Sequence, residues 1–147
     1  MELKKATMGL FKYCLLFLSI LSIACQGVQR FAPEDRIALL EGGPHAGSWE
    51  SNDVFLEYQY VNQSGIIKLN IQGKAKRMYD QLEIWVSFCD AEGKILETKS
   101  VYNSGYLTKP LDKRPRKVSI EKTFKIPLGT NHLAFQSMLE TIKDPIP

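Results

Sequence analysis

Apolar and polar residues alternate along most of the chain beyond residue 53, as they do in strands that are buried on one face. The clearest case is Ile67–Ala75, in which Ile67, Leu69 and Ile71 are separated by polar residues. Other stretches repeat this period or are bounded by turn residues typical of strand ends. The six predicted strands are Val54–Tyr60, Ile67–Ala75, Leu82–Cys89, Lys94–Tyr102, Val118–Ile126 and His132–Leu139.

The connections between these strands are short, and no stretch sustains the period of a helix. Turn residues lie at 62–65, 90–93 and 128–131, and Gly93 stands where a hairpin needs a positive φ. The pattern therefore predicts an all-β fold, an antiparallel β-sandwich of about six to seven strands over residues 54–142. Residues 103–117 are expected to form a loop and residues 143–147 a frayed tail.

Residues 25–53 lack this clean periodicity. Glycine or proline recurs at positions 27, 33, 42, 43, 44 and 47. We expect an irregular tether here, with no more than a short helical turn over residues 36–41, because Gly42 and Gly43 would end it. Trp49 is expected to pack onto the sandwich.

The N-terminus has the composition of a targeting segment. Lys4, Lys5 and Lys12 precede an apolar run, Tyr13–Ala24, which is 12 residues long. A membrane-spanning helix needs about 20 apolar residues, so this run is too short to cross a bilayer as one helix. A charged start, a short apolar stretch and a small residue before a cut are typical of a signal peptide, which we assign to residues 1–24.

The end of this segment, Leu21-Ser22-Ile23-Ala24-Cys25, resembles the lipobox of bacterial lipoproteins. The resemblance implies that Cys25 is lipidated on sulfur and becomes the first residue of the mature chain. Ala24 matches the small residue of that motif, whereas Ser22 stands where the family usually has leucine. Gln26 follows the cysteine, which by analogy with the enterobacterial sorting rule favours the outer membrane, facing the periplasm, over the inner membrane.

The cysteine count bears on this interpretation. The chain has three cysteines, and Cys14 lies inside the predicted signal peptide. Lipidation of Cys25 would leave Cys89 alone within a strand, where it would act as a buried small apolar residue. The alternative is a Cys25–Cys89 disulfide in an ordinary secreted protein. Of the two, the sequence favours the lipid.

Charge and motifs exclude several classes of function. Residues 1–24 hold three of the lysines and one glutamate, so the net charge of +3 falls to near +1 in the mature chain. Neither this balance nor export suits a nucleic-acid-binding protein. His45 and His132 are far apart and have no further ligands at metal spacing. Nucleophile-elbow and phosphate-binding motifs are missing, so we expect no enzyme activity, catalytic residue, metal or cofactor.

Two features are candidates for binding. The segment 109–117 is basic and contains two prolines, and its Arg114 and Arg116 can contact lipid phosphates or an acidic partner. A solvated connection is the simpler interpretation of that segment. Trp85 lies on the opposite sheet face from Ile84 and Val86, so either the tether covers it or it meets a partner. The candidate partner contacts are therefore Trp85, Arg114 and Arg116.

Residues from about 70 to 139 resemble the FxLYD-type, immunoglobulin-like domains of bacterial envelope proteins. The resemblance is carried by a glycine-containing strand at 71–75, an aromatic-x-Asp-x-x-Gly sequence at 88–93, and Thr123-Phe124-Lys125-Ile126-Pro127. It implies an immunoglobulin-like sandwich and no shared catalytic site. Lys76-Arg77-Met78 stands where the family often has Asn-x-Ser.

Together these observations predict a lipid-anchored module that binds or scaffolds in the bacterial cell envelope. Its partners would be the membrane, through the N-terminal lipid, and an envelope protein. The first alternative is an accessory subunit of a larger envelope complex, and the second is a small enzyme whose site has no sequence signature. The sequence leaves the partner and the oligomeric state open.

Overall fold

A computed structural model of the protein describes residues 28–105 and 117–141. These ranges hold eight strands and one short 3-10 helix, and no helix in them is long and apolar enough to cross a membrane. The elements are the 3-10 helix Pro33–Asp35, β1 (Ile37–Ala38), β2 (Gly42–Glu50), β3 (Val54–Gln63), β4 (Ile66–Ala75), β5 (Gln81–Cys89), β6 (Ile95–Asn103), β7 (Lys117–Lys125) and β8 (His132–Glu140).

The strands form two four-stranded antiparallel sheets, with the orders β1-β8-β5-β6 and β2-β3-β4-β7. The predicted all-β sandwich is therefore confirmed. Strands β4 and β5 are inner strands, each flanked on both sides by strands of its own sheet. Strand β1 lies beside β8 at the edge of its sheet, although it comes first in the sequence.

The core lies between the two sheets, and alternation along the strands fills it. Ile67, Leu69 and Ile71 of β4 are buried, while the polar residues between them are exposed. They share one cluster with Leu82, Ile84, Val86 and Phe88 of β5 in the other sheet. Complete burial of each such aliphatic or aromatic side chain contributes roughly 1.5–3 kcal/mol, so β4 and β5 supply a large part of the stability.

The expectation of an irregular tether over residues 25–53 is wrong for much of that range. Strand β2 pairs with β3 from Gly42 to Glu50, and β1 pairs with β8. The expected helical turn at 36–41 is also wrong, because the 3-10 helix ends at Asp35. The predicted packing of Trp49 against the core is confirmed.

The reason for this error is that β2 is an edge strand held mainly by backbone hydrogen bonds. Its residues are mostly exposed, so it needs no apolar alternation. Gly42 and Gly43 have φ values of 79° and 131°, and the register with β3 shifts between Gly42 and His45. Glycine at such a bulge and proline on an edge strand are compatible with a sheet, although in sequence they resemble a loop.

The antiparallel order places particular turns at each end of the sandwich. The β3–β4, β5–β6 and β7–β8 turns lie at one end, where Leu39 N–H donates to Asn131 O at 2.9 Å and Ile126 N–H donates to Gly65 O at 2.8 Å. Arg30 bridges to Lys94 at this same end. The β2–β3 turn, residues 51–53, and the β4–β5 connection lie at the opposite end.

Replacement of Ile71 by alanine should destabilise the protein by about 2–5 kcal/mol, because it empties fully buried volume at the centre of β4. The exposed neighbour Asn70 provides the matched control, and Asn70→Ala should change stability by no more than about 0.5 kcal/mol. Urea denaturation followed by tryptophan fluorescence measures both changes. Equal effects of the two substitutions would contradict the assignment of the inner face of β4.

Candidate functional site

The structure locates one of the residues that the sequence singled out for binding. Trp85 is half-buried on the outer face of β5, where its cross-strand partners are Ser100 and Gln136. Arg114, Arg116 and Cys25 lie outside the described residues. Thus no arrangement of described residues brings these candidates together, and partner contact through them stays a prediction.

Cys89 lies on the same outer face and is fully buried, as the sequence predicted. Burial raises the pKa of its thiol, the nearby Asp90 raises it further, and Arg36 partly opposes both effects. The N-terminal segment lies close to this part of the sheet, since the Arg36 guanidinium donates to Ala91 O at 3.1 Å. A buried thiol with a raised pKa stays protonated at neutral pH and is a poor nucleophile.

The feature that sequence reasoning missed is the incomplete edge of β8. Strand β1 pairs with β8 at two positions only, Ile37 with Leu133 and Ala38 with His132. Continuing this register would bring residues 34–36 alongside 134–136, but the chain turns into the 3-10 helix at Pro33 instead. Within the described ranges, residues 134–139 therefore have no strand on the side facing away from β5.

A cleft of about 840 Å³ opens along this unpaired edge. We call it the edge cleft. It is formed by the end of β2, the β2–β3 turn, the middle of β8 and the chain around the 3-10 helix. Its lining residues are Phe31, Asp35, Trp49, Glu50, Ser51, Asn52, Asp53, Lys76, Phe135, Gln136 and Ser137.

Aromatic rings form the inner wall of the edge cleft. The rings of Trp49 and Tyr58 lie against Phe135, with centroids 5.9 Å and 5.4 Å from it. Trp49 comes from β2 and Phe135 from β8, so this contact joins the two sheets at their edge. Burial raises the pKa of the Tyr58 phenol, and the neighbouring Tyr60 raises it further, which keeps Tyr58 neutral.

A second contact between the sheets lies at the polar rim. Ser51 Oγ accepts hydrogen bonds from Asp53 N–H at 3.1 Å and Val54 N–H at 3.2 Å. These two bonds use both lone pairs of the hydroxyl, so its own hydrogen is left to donate to Ser137 Oγ, 2.9 Å away. One serine therefore orders the β2–β3 turn and attaches it to β8.

The charges around the edge cleft are mainly negative. Asp35, Glu50 and Asp53 contribute carboxylates, and Lys76 is the basic residue of the lining. Lys76 Nζ lies 2.5 Å from Glu50 and 2.6 Å from the carbonyl of Ser51, while Arg77 lies 2.5 Å from Asp53. Asp35 makes no ion pair with any residue in the described ranges.

The lining residues of the edge cleft indicate what it can bind. No protein-family model, curated protein or solved structure matches this chain. Among residues 28–105 and 117–141, no three His, Cys, Asp or Glu side chains are grouped so that they could hold a metal ion. What the edge cleft offers is an aromatic wall, a carboxylate rim and a strand whose backbone is unpaired on one side.

The opposite edge of the sandwich has a smaller groove, of about 740 Å³, between β6 and β7. Its wall carries Glu97 and Lys99, which form an ion pair with each other, together with Lys125. Lysine on an edge strand discourages the addition of another strand, because its charge would have to be buried. In contrast, β8 has no charged residue and no proline from Leu133 to Leu139.

Ser51→Ala should destabilise the protein by about 1–3 kcal/mol, because two backbone N–H groups would lose their acceptor. Ser137→Ala removes only the hydroxyl contact and leaves those two N–H groups bonded, so it should cost about 0.5–1.5 kcal/mol. Chemical denaturation of the two variants measures the difference. A larger loss for Ser137→Ala would contradict the central role of the Ser51 hydroxyl.

Proposed function

We propose that this protein is a lipid-anchored binding module of the bacterial cell envelope, with Cys25 as the lipid attachment site. A protein partner binds in the edge cleft. The observation that carries this proposal is the edge of β8 over residues 134–139, which has no neighbouring strand within the described ranges and lies beside a cleft with an aromatic wall. The module resides in the outer membrane, facing the periplasm.

An unpaired strand edge suits a protein partner because it presents a row of backbone N–H and C=O groups. An extended segment of a partner can pair with those groups, while pockets beside the edge select its side chains. Here the half-buried Trp49 offers an apolar surface, and Asp35, which has no ion pair within the described ranges, favours a basic side chain. Binding at this site needs neither bond-making chemistry nor a cofactor, in keeping with the expectation of a non-enzymatic protein.

The lipid anchor is supported by the residues on both sides of Cys25. The preceding segment resembles a lipobox, and the sandwich begins shortly after it, because Arg30 already bridges to Lys94. The burial of Cys89 removes its thiol from the surface, which makes a disulfide with Cys25 less favourable than lipidation. Several acyl chains on one cysteine hold a protein at the membrane, since each buried CH₂ contributes about 0.8 kcal/mol.

The positions of the quoted sequence elements support the likeness to FxLYD-type domains. The glycine-containing segment 71–75 lies at the end of β4, and the Asp90–Gly93 turn joins β5 to β6. Asp90 accepts hydrogen bonds from the N–H groups of Glu92 and Lys94, both at 2.9 Å. Its carboxylate therefore shapes the hairpin, which explains the acidic residue without a catalytic role.

The intact mass of the protein from membranes tests the anchor. Cells expressing the full chain should yield a protein that lacks residues 1–24 and carries acyl chains. Cys25→Ala should abolish both changes, because the sulfur that accepts the lipid is gone. Fractionation of the membranes should place the wild-type protein in the outer membrane. An unmodified mass, or a soluble protein with Cys25 bonded to Cys89, would contradict the anchor.

Photo-crosslinking in cells tests the edge cleft. A photoreactive amino acid at Gln136, on the unpaired part of β8, should yield a defined protein adduct. The same amino acid at Glu121, an exposed position on β7 in the other sheet, should not. Ser137→Arg should abolish the adduct from position 136, because a long charged side chain would fill the cleft. Adducts of equal yield from both positions, or none from either, would contradict binding at the edge cleft.

A further inference from the structure

The first described residues of the chain lie at the end of the sandwich that carries the β5–β6 turn. Ile95 N–H donates to Gln29 O at 3.3 Å, which fixes residue 29 beside the β5–β6 turn. The β3–β4 and β7–β8 turns lie at the same end. We call this end of the molecule, with residues 28–30, 39–41, 64–66, 90–94 and 126–131, the N-terminal end.

Large apolar side chains are exposed at the N-terminal end. Leu128, at the tip of the β7–β8 turn, is 102% exposed, and Val28, Leu40 and Ile66 are 54%, 53% and 46% exposed. These four are half of the eight large hydrophobic residues that are exposed in the described ranges. A concentration of exposed apolar residues on a small protein indicates a surface that meets another apolar phase or a partner.

The turn that carries Leu128 is held in shape by its own hydrogen bonds. Pro127 O accepts from both Thr130 N–H at 3.3 Å and Thr130 Oγ1 at 2.7 Å. Gly129 has a φ of 85°, a conformation that glycine adopts without strain. Because the turn is closed by these bonds, Leu128 projects away from the sandwich and cannot fold back onto the core.

The lipid site lies very close to this end along the chain. Only residues 26 and 27 separate Cys25 from Val28, so the three Cα–Cα steps span at most about 11 Å. The headgroup region on each side of a bilayer is about 5–8 Å thick. A lipid on Cys25 therefore keeps Val28 and its neighbours within a short distance of the bilayer surface.

We propose that the N-terminal end faces the bilayer and that Leu128, flanked by Ile66, inserts into the boundary between headgroups and acyl chains. The proposal rests on the lipid at Cys25. It gives the protein a second membrane contact and a fixed orientation. The part of the edge cleft formed by the β2–β3 turn then lies at the end away from the membrane.

The charges at this end indicate an apolar contact rather than an electrostatic one. Arg30 pairs with Glu92 at 3.4 Å, and the other charged residues of the N-terminal end are Lys94, Glu41 and Asp90, so this end has no excess of basic residues. A basic surface would bind anionic lipids selectively. We expect insertion of Leu128 to be the same in neutral phosphatidylcholine vesicles and in vesicles that also contain anionic phosphatidylglycerol.

Site-directed fluorescence in vesicles tests this orientation. Leu128→Cys in the full chain places one accessible thiol in the mature protein, because Cys25 carries lipid and Cys89 is buried. The protein is purified from membranes, its acylation is verified by mass, and it is labelled with a small fluorophore and reconstituted in phosphatidylcholine brominated in the acyl chains. The control is Asn52→Cys, an exposed position in the β2–β3 turn at the opposite end.

The expected result is loss of most of the fluorescence at position 128 and almost none at position 52. Ile66→Cys, a second position at the N-terminal end, should be quenched to an intermediate extent. Acylated protein with equal, weak quenching at 128 and 52 would overturn the orientation and leave the anchor intact. Fluorophore self-quenching at 128 without bromine quenching would indicate a second copy there instead and would also overturn it. A protein without acyl chains would overturn the proposed function itself.

Discussion

The packing of β4 against β5 is the contact on which the rest of the molecule depends. Each is flanked on both sides by strands of its own sheet, and the chain passes from one sheet to the other between Ala75 and Gln81. Their apolar faces meet in the core, and each provides the ladder on which its neighbours align. Strands β3 and β7 take their register from β4, and β6 and β8 take theirs from β5. The positions of the sheet edges, including the edge of β8, are consequences of this central contact.

Within the described ranges, one edge of this sandwich is closed by side chains rather than by a strand. Backbone pairing between β1 and β8 stops after two residues, yet the core remains sealed because Trp49 and Phe135 meet across the gap. The Ser51–Ser137 contact secures the same place by a hydrogen bond. The sheet edge is thus left open without exposing the core, and a partner can add there without unfolding anything. Such separation of stability from binding is common where a rigid scaffold presents a site.

The fold was largely predictable, and the site was not. Strands β3 to β8 were predicted because alternation of apolar and polar residues is a local signal of one-sided burial. Strand β2 was missed because an edge strand rich in glycine carries no such signal. The edge cleft brings together Trp49 and Phe135, which are remote in sequence. It exists because β1 pairs with β8 over two residues only, and the alternation of apolar and polar residues does not predict how far a strand pairs. Trp85 was singled out correctly as an outward-facing aromatic residue, but its orientation alone says nothing about a partner.

Under the proposed lipid anchor, the short pairing of β1 also affects how the protein responds to tension. Tension between the membrane and a partner bound on β8 would act first on the segment 30–38, which is held by one bridge, a two-residue strand and a few hydrogen bonds. The ladder between β3 and β4, with ten residue pairs, would resist far longer. Release of these nine residues would allow a distance of at most about 30 Å between the ends of the released segment. If the proposed anchor and partner both hold the protein, the segment 30–38 therefore extends before the core unfolds.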